Sequence, residues 1–263
     1  MDNLNDPSKK NKVYGWIGTI LALYIFVVLS ALWKKYINPP QPYRIPLVTN
    51  TSNNNINASL SNCPHSVRFG NISICLPTID GMTECYSDTT MKNMVDKFGV
   101  NAVLLGFYLN NKSYQNKQNL EKEGFDDYFL LSSDSDLMNR TIHTSDLTQL
   151  DSVISGSFIK KNWDDVSSMV KKKINKYKFA ISFDKPVLIE SYSLNENIHS
   201  RLFLTKFLSG NDEIVMICDA DFCTIKNRLI HMFYYKKYDG VQSLKDARAK
   251  NDYVASSIIN ENK

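Results

Sequence analysis

The chain has little glycine and proline for its length and no large excess of either charge. Ten glycines and eight prolines in 263 residues, with 43% hydrophobic residues, exclude a collagen-like, coiled-coil or wholly disordered chain. The formal net charge is only +4, and the five lysines and two aspartates of residues 1–35 account for most of it. We therefore expect no nucleic-acid partner, because neutralising phosphates requires clustered lysine and arginine.

Motifs that mark common catalytic sites are missing as well. The chain contains no Gly-x-Ser-x-Gly elbow, no Walker-type phosphate loop, no His-Glu-x-x-His helix and no glycine-rich dinucleotide turn. The four histidines are scattered, and the close cysteines Cys218 and Cys223 have no second close pair, which disfavours a zinc site. We therefore expect a protein that is not an enzyme and has no cofactor.

One long hydrophobic run stands out near the N-terminus. The 21 residues from Val13 to Trp33 carry no charge, and as a helix they would span about 31 Å, enough to cross a hydrocarbon core. Trp16 and Trp33 lie near its two ends, where aromatic rings favour the headgroup level. A buried helix of a soluble core is the alternative, but uncharged runs of this length are rare there. The run predicts a transmembrane helix over residues 13–33.

The residues around this run predict whether it is cleaved off and how it is oriented in the membrane. Lys34 and Lys35 follow directly, with no small-residue cleavage site, so we expect a signal anchor rather than a cleaved signal peptide. The short lysine-bearing tail, residues 1–12, is expected on the cytoplasmic side of the inner membrane. The lipid bilayer is then a predicted partner through residues 13–33, and the C-terminal domain is expected in the periplasm or an equivalent extracytoplasmic space.

Residues 34–62 predict a tether between the membrane and a folded domain. Half of the prolines lie here, at positions 39, 40, 42 and 46, and an asparagine-rich tract runs from Asn50 to Asn62. Proline favours extended backbone, and the tract offers too little apolar surface to offset its ordering entropy. The folded extracytoplasmic domain is therefore expected to occupy residues 63–263.

All of the cysteines lie beyond the apolar run, and they are Cys63, Cys75, Cys85, Cys218 and Cys223. This distribution fits an oxidising compartment with up to two disulfides. The odd number leaves at least one thiol unpaired or paired with another chain. The alternative is that some of them are small buried hydrophobic side chains. The sequence leaves the pairing open.

The pattern of residues 63–263 predicts an α+β fold, an antiparallel sheet with helices packed on it. Strands are expected at 67–76 (a hairpin), 82–86, 102–109, 128–131, 186–193, 201–208, 213–223 and 228–236, and helices at 88–99, 146–158, 163–177 and 243–259. The apolar run 102–109 predicts a central strand covered on both faces. Short polar turns between the last four strands favour antiparallel hairpins.

The order of these elements resembles the PsbP-like α/β sandwich. The stretch Ile74–Glu84, which reads ICLPTIDGMTE, is similar to the opening strand and turn of poorly characterised, membrane-anchored proteobacterial envelope proteins of this type. The strand ending in Leu229–Tyr235 and the helix that finishes at Asn262 are similar to their C-terminal part. The resemblance covers nearly all of residues 63–263. It implies a non-catalytic accessory, binding or assembly role, and it supplies no catalytic residue.

The one candidate for chemistry is Asp219-Ala-Asp221, which follows the apolar run Ile214–Cys218. At the end of a buried strand, two carboxylates on one face can hold a divalent cation against a diphosphate, as in membrane-anchored glycosyltransferases. The hairpin-like strands before the motif are unlike the βαβ half that binds nucleotides in such enzymes. The alternative is an exposed strand end with solvated carboxylates. Asp219 and Asp221 are thus weak metal candidates, and we assign no metal.

Together these features predict a single-pass membrane-anchored envelope protein whose outer domain has a non-catalytic binding or assembly role, with another envelope protein as its expected partner. Two alternatives stay open at this point. One is a membrane-anchored glycosyltransferase that uses Asp219 and Asp221. The other is a subunit of a secretion or pilus machine, which would share the same anchor and tether.

Overall fold

The computed structural model describes residues 63–96, 102–119, 127–153, 164, 167–168, 181–209 and 212–263. Within these ranges the chain forms a two-stranded hairpin, an eight-stranded antiparallel sheet and several helices, which confirms the predicted α+β class. The predicted tail, transmembrane helix and tether, residues 1–62, lie outside the described residues. Among the helices that are described, none is both long and apolar enough to span a membrane.

The described strands follow the predicted order, with one addition. They are β1 (Ser66–Phe69), β2 (Ile72–Cys75), β3 (Met82–Glu84), β4 (Ala102–Asn110), β5 (Asp127–Asp134), β6 (Ile181–Phe183), β7 (Val187–Asn195), β8 (Ile198–Ser209), β9 (Asp212–Ile225) and β10 (Arg228–Lys237). The helices are α1 (Thr89–Asp96), α2 (Asn111–Gln115), α3 (Thr144–Val153) and α4 (Val241–Glu261). Of the predicted helix 163–177, only residues 164 and 167–168 are described, and they are helical.

The large sheet has the strand order β3-β4-β5-β10-β9-β8-β6. Strand β9 occupies one side of β8, so β6 and β7 pair in succession along its other side. The β9–β10 hairpin turns at Lys226 and Asn227, both with positive φ, as a two-residue turn that matches the twist of the flanking strands requires. The predicted antiparallel hairpins are therefore confirmed, with β9 and β10 inside the sheet.

The core lies where α4 packs on β9 and β10. Every residue of β9 from Met216 to Ile225 is buried, so both faces of this strand are covered. An apolar stripe of α4 supplies one of these covers, and four of its members are fully buried: Ala247, Val254, Ala255 and Ile258. These side chains join one continuous apolar cluster with Ile217 and Met232 from the sheet.

Two predictions about the strands need correction. The strand predicted at 128–131 runs on to Asp134, because the polar residues that follow are buried inside the sheet rather than exposed in a loop. Ser133, for example, donates its hydroxyl to the carbonyl of Leu229 at 2.6 Å. The short strand β6 was not predicted, since its three residues, Ile181–Phe183, are too few to show an alternating pattern.

The last residues of the chain fasten α4 to the opening hairpin. Asn262 is buried, and its Oδ1 accepts from the backbone N–H of Cys75 at 2.8 Å. Its Nδ2 donates to the carbonyl of Cys75 at 2.7 Å and to that of Ile258 at 2.8 Å. One amide side chain thereby pairs with β2 as a neighbouring strand would, and it holds the C-terminal end of α4 in place.

We expect the substitution Asn262→Ala to lower the free energy of unfolding by about 1–3 kcal/mol, because it leaves the buried N–H and carbonyl of Cys75 without partners. Urea unfolding of the full chain measures this loss. Asn260→Ala is the matched control, since Asn260 is exposed on the same helix and its replacement should change stability by no more than about 0.5 kcal/mol. Equal stabilities of the two variants would contradict the assigned role of Asn262.

Candidate functional site

Asp219 and Asp221 lie well inside β9 rather than at its end. Strand β9 continues to Ile225, and both aspartates are 0% exposed. The expectation of a strand end with solvated carboxylates is therefore wrong. The strand continues because Phe222 and Cys223, which follow the aspartates, are buried as well. The two carboxyls share one face, as their spacing predicts, and Asn251 of α4 lies against that face.

Asp221 is held by the helix above it. Asn251, also 0% exposed, donates from Nδ2 to Asp221 Oδ2 at 2.8 Å. Ser200 of β8 is the direct cross-strand neighbour of Asp221, so it flanks the same carboxyl in the sheet. The other carboxyl oxygen, Asp221 Oδ1, and Asn251 Oδ1 are buried without a hydrogen-bond partner among the described residues.

Asp219 has a weaker set of contacts. The hydroxyl of Tyr192 on β7 lies 2.7 Å from Asp252 Oδ1 and 3.4 Å from Asp219 Oδ2. Because a hydroxyl has a single proton to donate, the shorter bond to Asp252 takes it. Asp219 Oδ1 is buried and, within the described part of the chain, has no hydrogen-bond partner.

Arg248 on α4 closes the rim of this cluster. Its guanidinium bonds to Glu190 of β7 at 2.6 Å, approaches Asp252 at 3.7 Å and lies 4.1 Å above the ring of Tyr192. These side chains are partly exposed, in contrast to the aspartates below them. Across the described ranges, no basic side chain forms an ion pair with Asp219 or Asp221.

Burial dominates the electrostatics of the two aspartates. Removal from water raises the pKa of Asp219 well above its ordinary value, and the nearby Asp221 and Asp252 raise it further. Burial likewise raises the pKa of Asp221 to about 7, although the neighbouring Ser200 hydroxyl and the hydrogen bond from Asn251 act in the opposite direction. The ionised form is disfavoured in both cases because the carboxyls are buried away from bulk solvent and have acidic neighbours. The pair is therefore suited to retaining protons.

This arrangement does not fit the metal site that Asp-x-Asp suggests. In the ranges described, no group of three or more histidine, cysteine or acidic side chains is placed to hold a metal ion. Both carboxyls are closed off from solvent, so a diphosphate cannot contact them while α4 lies on the sheet. Glycosyl transfer requires such contact with a solvent-accessible substrate, and the observed burial does not provide it.

The cysteines divide into one disulfide and three thiols. Cys63 and Cys75 are bonded, whereas Cys85, Cys218 and Cys223 are free and buried. The two thiols of β9 are five residues apart, so they lie on opposite faces of the strand and cannot pair. Burial raises the pKa of each free thiol, which makes the reactive thiolate rare. The two predicted roles of the cysteines, disulfide formation and burial as small hydrophobic side chains, thus both occur in this domain.

Sequence reasoning missed the partners of the aspartates, above all Asn251, Tyr192 and Arg248. A signal for Asn251 does exist, because it lies four residues after Ala247 and three before Val254, on the apolar stripe of α4. A polar residue within such a stripe indicates a buried partner on the facing strand. Tyr192 and Arg248 offer no comparable signal, since they meet only when β7 and α4 pack together.

Comparison with known proteins adds no relative: no protein-family model, no curated protein and no solved structure matches the chain. Interpretation of the site therefore rests on its own geometry.

We expect the substitution Tyr192→Phe to lower the free energy of unfolding by about 1–2 kcal/mol, because it removes the hydroxyl that donates to Asp252 and keeps the ring under Arg248. Thermal or urea unfolding measures the change. Tyr253→Phe is the matched control, since Tyr253 lies on α4 next to Asp252 and is 62% exposed. If both variants unfold like the wild type, the hydroxyl of Tyr192 does not link β7 to α4.

Proposed function

We propose that the chain is a single-pass, membrane-anchored envelope protein whose outer domain binds or positions another envelope protein and catalyses no reaction. The proposal joins two parts of the chain. The charge-free run over residues 13–33 suits a lipid bilayer. Cys63, the first residue of the predicted outer domain, forms a disulfide with Cys75. The resemblance of residues 63–263 to PsbP-like envelope domains supports the same function and stays a prediction.

The disulfide between Cys63 and Cys75 is the observation that carries the proposal. Disulfides form and persist in the periplasm and other exported compartments, and they are rare in the cytosol. A domain whose first cysteine forms a disulfide is therefore suited to the outer side of the membrane. An anchor over residues 13–33 with a short cytoplasmic tail delivers the domain to that side.

The buried carboxyl pair supports the non-catalytic part of the proposal. Asp219 and Asp221 are the strongest candidates for chemistry in the sequence, but both are buried, and Asp221 accepts a hydrogen bond from Asn251 of α4. A glycosyltransferase would need them at a surface open to substrate. A subunit of a secretion or pilus machine differs from a simple binding protein only in its neighbours, so the experiment on partners separates these two.

Counting thiols in the full chain tests the location of the domain. We expect membrane fractions, denatured in an alkylating reagent without reductant, to show three modified cysteines, the thiols of Cys85, Cys218 and Cys223. Reduction should raise the number to all five. A variant lacking residues 13–33 should remain in the cytosol and show five without reduction. Five accessible thiols in the membrane-bound wild type would contradict an outer domain.

Crosslinking in intact cells tests the binding role. We expect the full chain, at its native level, to form a discrete product that contains another envelope protein. A variant lacking residues 13–33 should lose this product because it no longer reaches the membrane. Components of a secretion or pilus machine in the product would favour the subunit alternative. Absence of any crosslinked envelope protein would contradict the proposed role.

A further inference from the structure

The two buried aspartates are short of hydrogen-bond donors. Four buried oxygens of this site have no partner among the described residues: Asp219 Oδ1, Asp221 Oδ1, Asn251 Oδ1 and Ser200 Oγ. Asn251 Nδ2 donates to Asp221 and the Tyr192 hydroxyl donates to Asp252, so the Ser200 hydroxyl, opposite Asp221 on β8, is the one further donor for the two carboxyls. An ionised carboxylate can only accept hydrogen bonds. Two ionised aspartates would therefore leave acceptors unsatisfied where both carboxyls are buried away from bulk solvent, which is costly.

The pair is also short of positive charge. The side chains facing it come from four elements: Glu190 and Tyr192 on β7, Ser200 and Leu202 on β8, Met232 and Tyr234 on β10, and Arg248, Asn251 and Asp252 on α4. Arg248 is the cation of this set, and it pairs with Glu190 and Asp252 at the rim. The other nearby cation of α4, Lys250, lies over the ring of Tyr234 and 3.7 Å from Asp127. An ionised pair would thus be uncompensated, and burying such charge is strongly unfavourable.

A proton meets both deficits better than a metal ion does. On either carboxyl it removes one negative charge and converts one acceptor into a donor, so an Asp219 or Asp221 hydroxyl can bond to a neighbouring unpartnered oxygen. A calcium ion takes about six to eight oxygen ligands, and the four unpartnered oxygens of this site are too few. A proton also needs no cavity, which matters because the site is fully buried.

We infer that Asp219, Asp221 and Asn251 form a proton latch: the carboxyl pair keeps at least one proton while α4 lies on the sheet, and loss of that proton at higher pH loosens the helix. The contact from Asn251 to Asp221 is the direct link between proton and helix. Repulsion within an ionised pair, together with its need for water, opposes the closed packing of α4 on β9. This inference goes beyond the proposed function and does not depend on it.

The pH dependence of the latch has a definite sign. Burial raises the pKa of Asp221 to about 7, and it raises that of Asp219 in the same direction. An unfolded aspartate titrates near about 3.9. Between these values the folded chain binds more protons than the unfolded chain, so the free energy of unfolding falls as the pH rises from about 4 through about 7.

His231 acts in the opposite direction and has to be separated from the latch. Burial lowers its pKa to about 3, so it makes the fold more stable as the pH rises towards the ordinary histidine value of about 6.5. A variant that alters only the two carboxyls isolates their contribution, because the share of His231 cancels in the comparison.

The test is urea unfolding of the full chain in detergent micelles at about pH 5 and about pH 8. The compared proteins are the wild type, the double variant Asp219→Asn plus Asp221→Asn, and the control Asp239→Asn, whose side chain is exposed. From the lower to the higher pH, the urea midpoints of the wild type and the control should fall relative to that of the double variant. The pH-dependent fall in the double variant should be at most half of that in the wild type, because an amide does not ionise.

Two results would overturn the latch. One is a double variant that keeps the full pH shift of the wild type. The other is calcium or manganese raising the midpoint of the wild type at the higher pH but not that of the double variant, which would identify a cation as the natural occupant. If the double variant does not fold, infrared spectra of the wild type with labelled aspartate decide: a protonated carboxyl band at about pH 6 supports the latch, and its absence in the folded chain overturns it.

Discussion

The packing of α4 on β9 and β10 is the interaction on which the rest of the described structure depends. Fully burying one large apolar side chain contributes about 1.5–3 kcal/mol, whereas a typical hydrogen bond contributes about 1 kcal/mol net. The apolar stripe of α4, with Val254 and Ile258 at its centre, therefore drives the helix onto the sheet. The polar contact from Asn251 to Asp221 then fixes where along the sheet the helix lies, because only one position satisfies it.

Further contacts hold α4 along its length and join it to the start of the domain. Lys250 lies over the stacked rings of Phe129 and Tyr234, 5.9 and 5.3 Å from their centroids, so it fastens the helix across β5 and β10. At the C-terminal end, Asn262 bonds to Cys75, which is also joined to Cys63. The first and last parts of the domain therefore meet at Cys75, and a displacement of α4 would be transmitted to Cys63, which directly follows the predicted tether.

Much of the fold could be predicted from the sequence, and the site could not. The sequence predicts a feature well when that feature depends on a single turn or helix, as at the Lys226–Asn227 turn and along the apolar stripe of α4. Asp219 and Asp221 were located on one face of a strand, but their burial depends on which helix covers that face, and this follows from long-range packing. The pairing of Cys63 with Cys75 likewise follows from the hairpin geometry, which spacing alone does not reveal.

Native-state hydrogen exchange on the full chain at about pH 6 tests most directly whether α4 closes over the carboxyl pair. We expect the amides of α4 between Ala247 and Ile258 to exchange as slowly as those of β9, because both open only when the whole domain unfolds. Rapid exchange in this part of α4, with β9 still protected, would contradict the account. The helix would then leave the sheet readily, and Asp219 and Asp221 would be open to solvent rather than part of a closed interior.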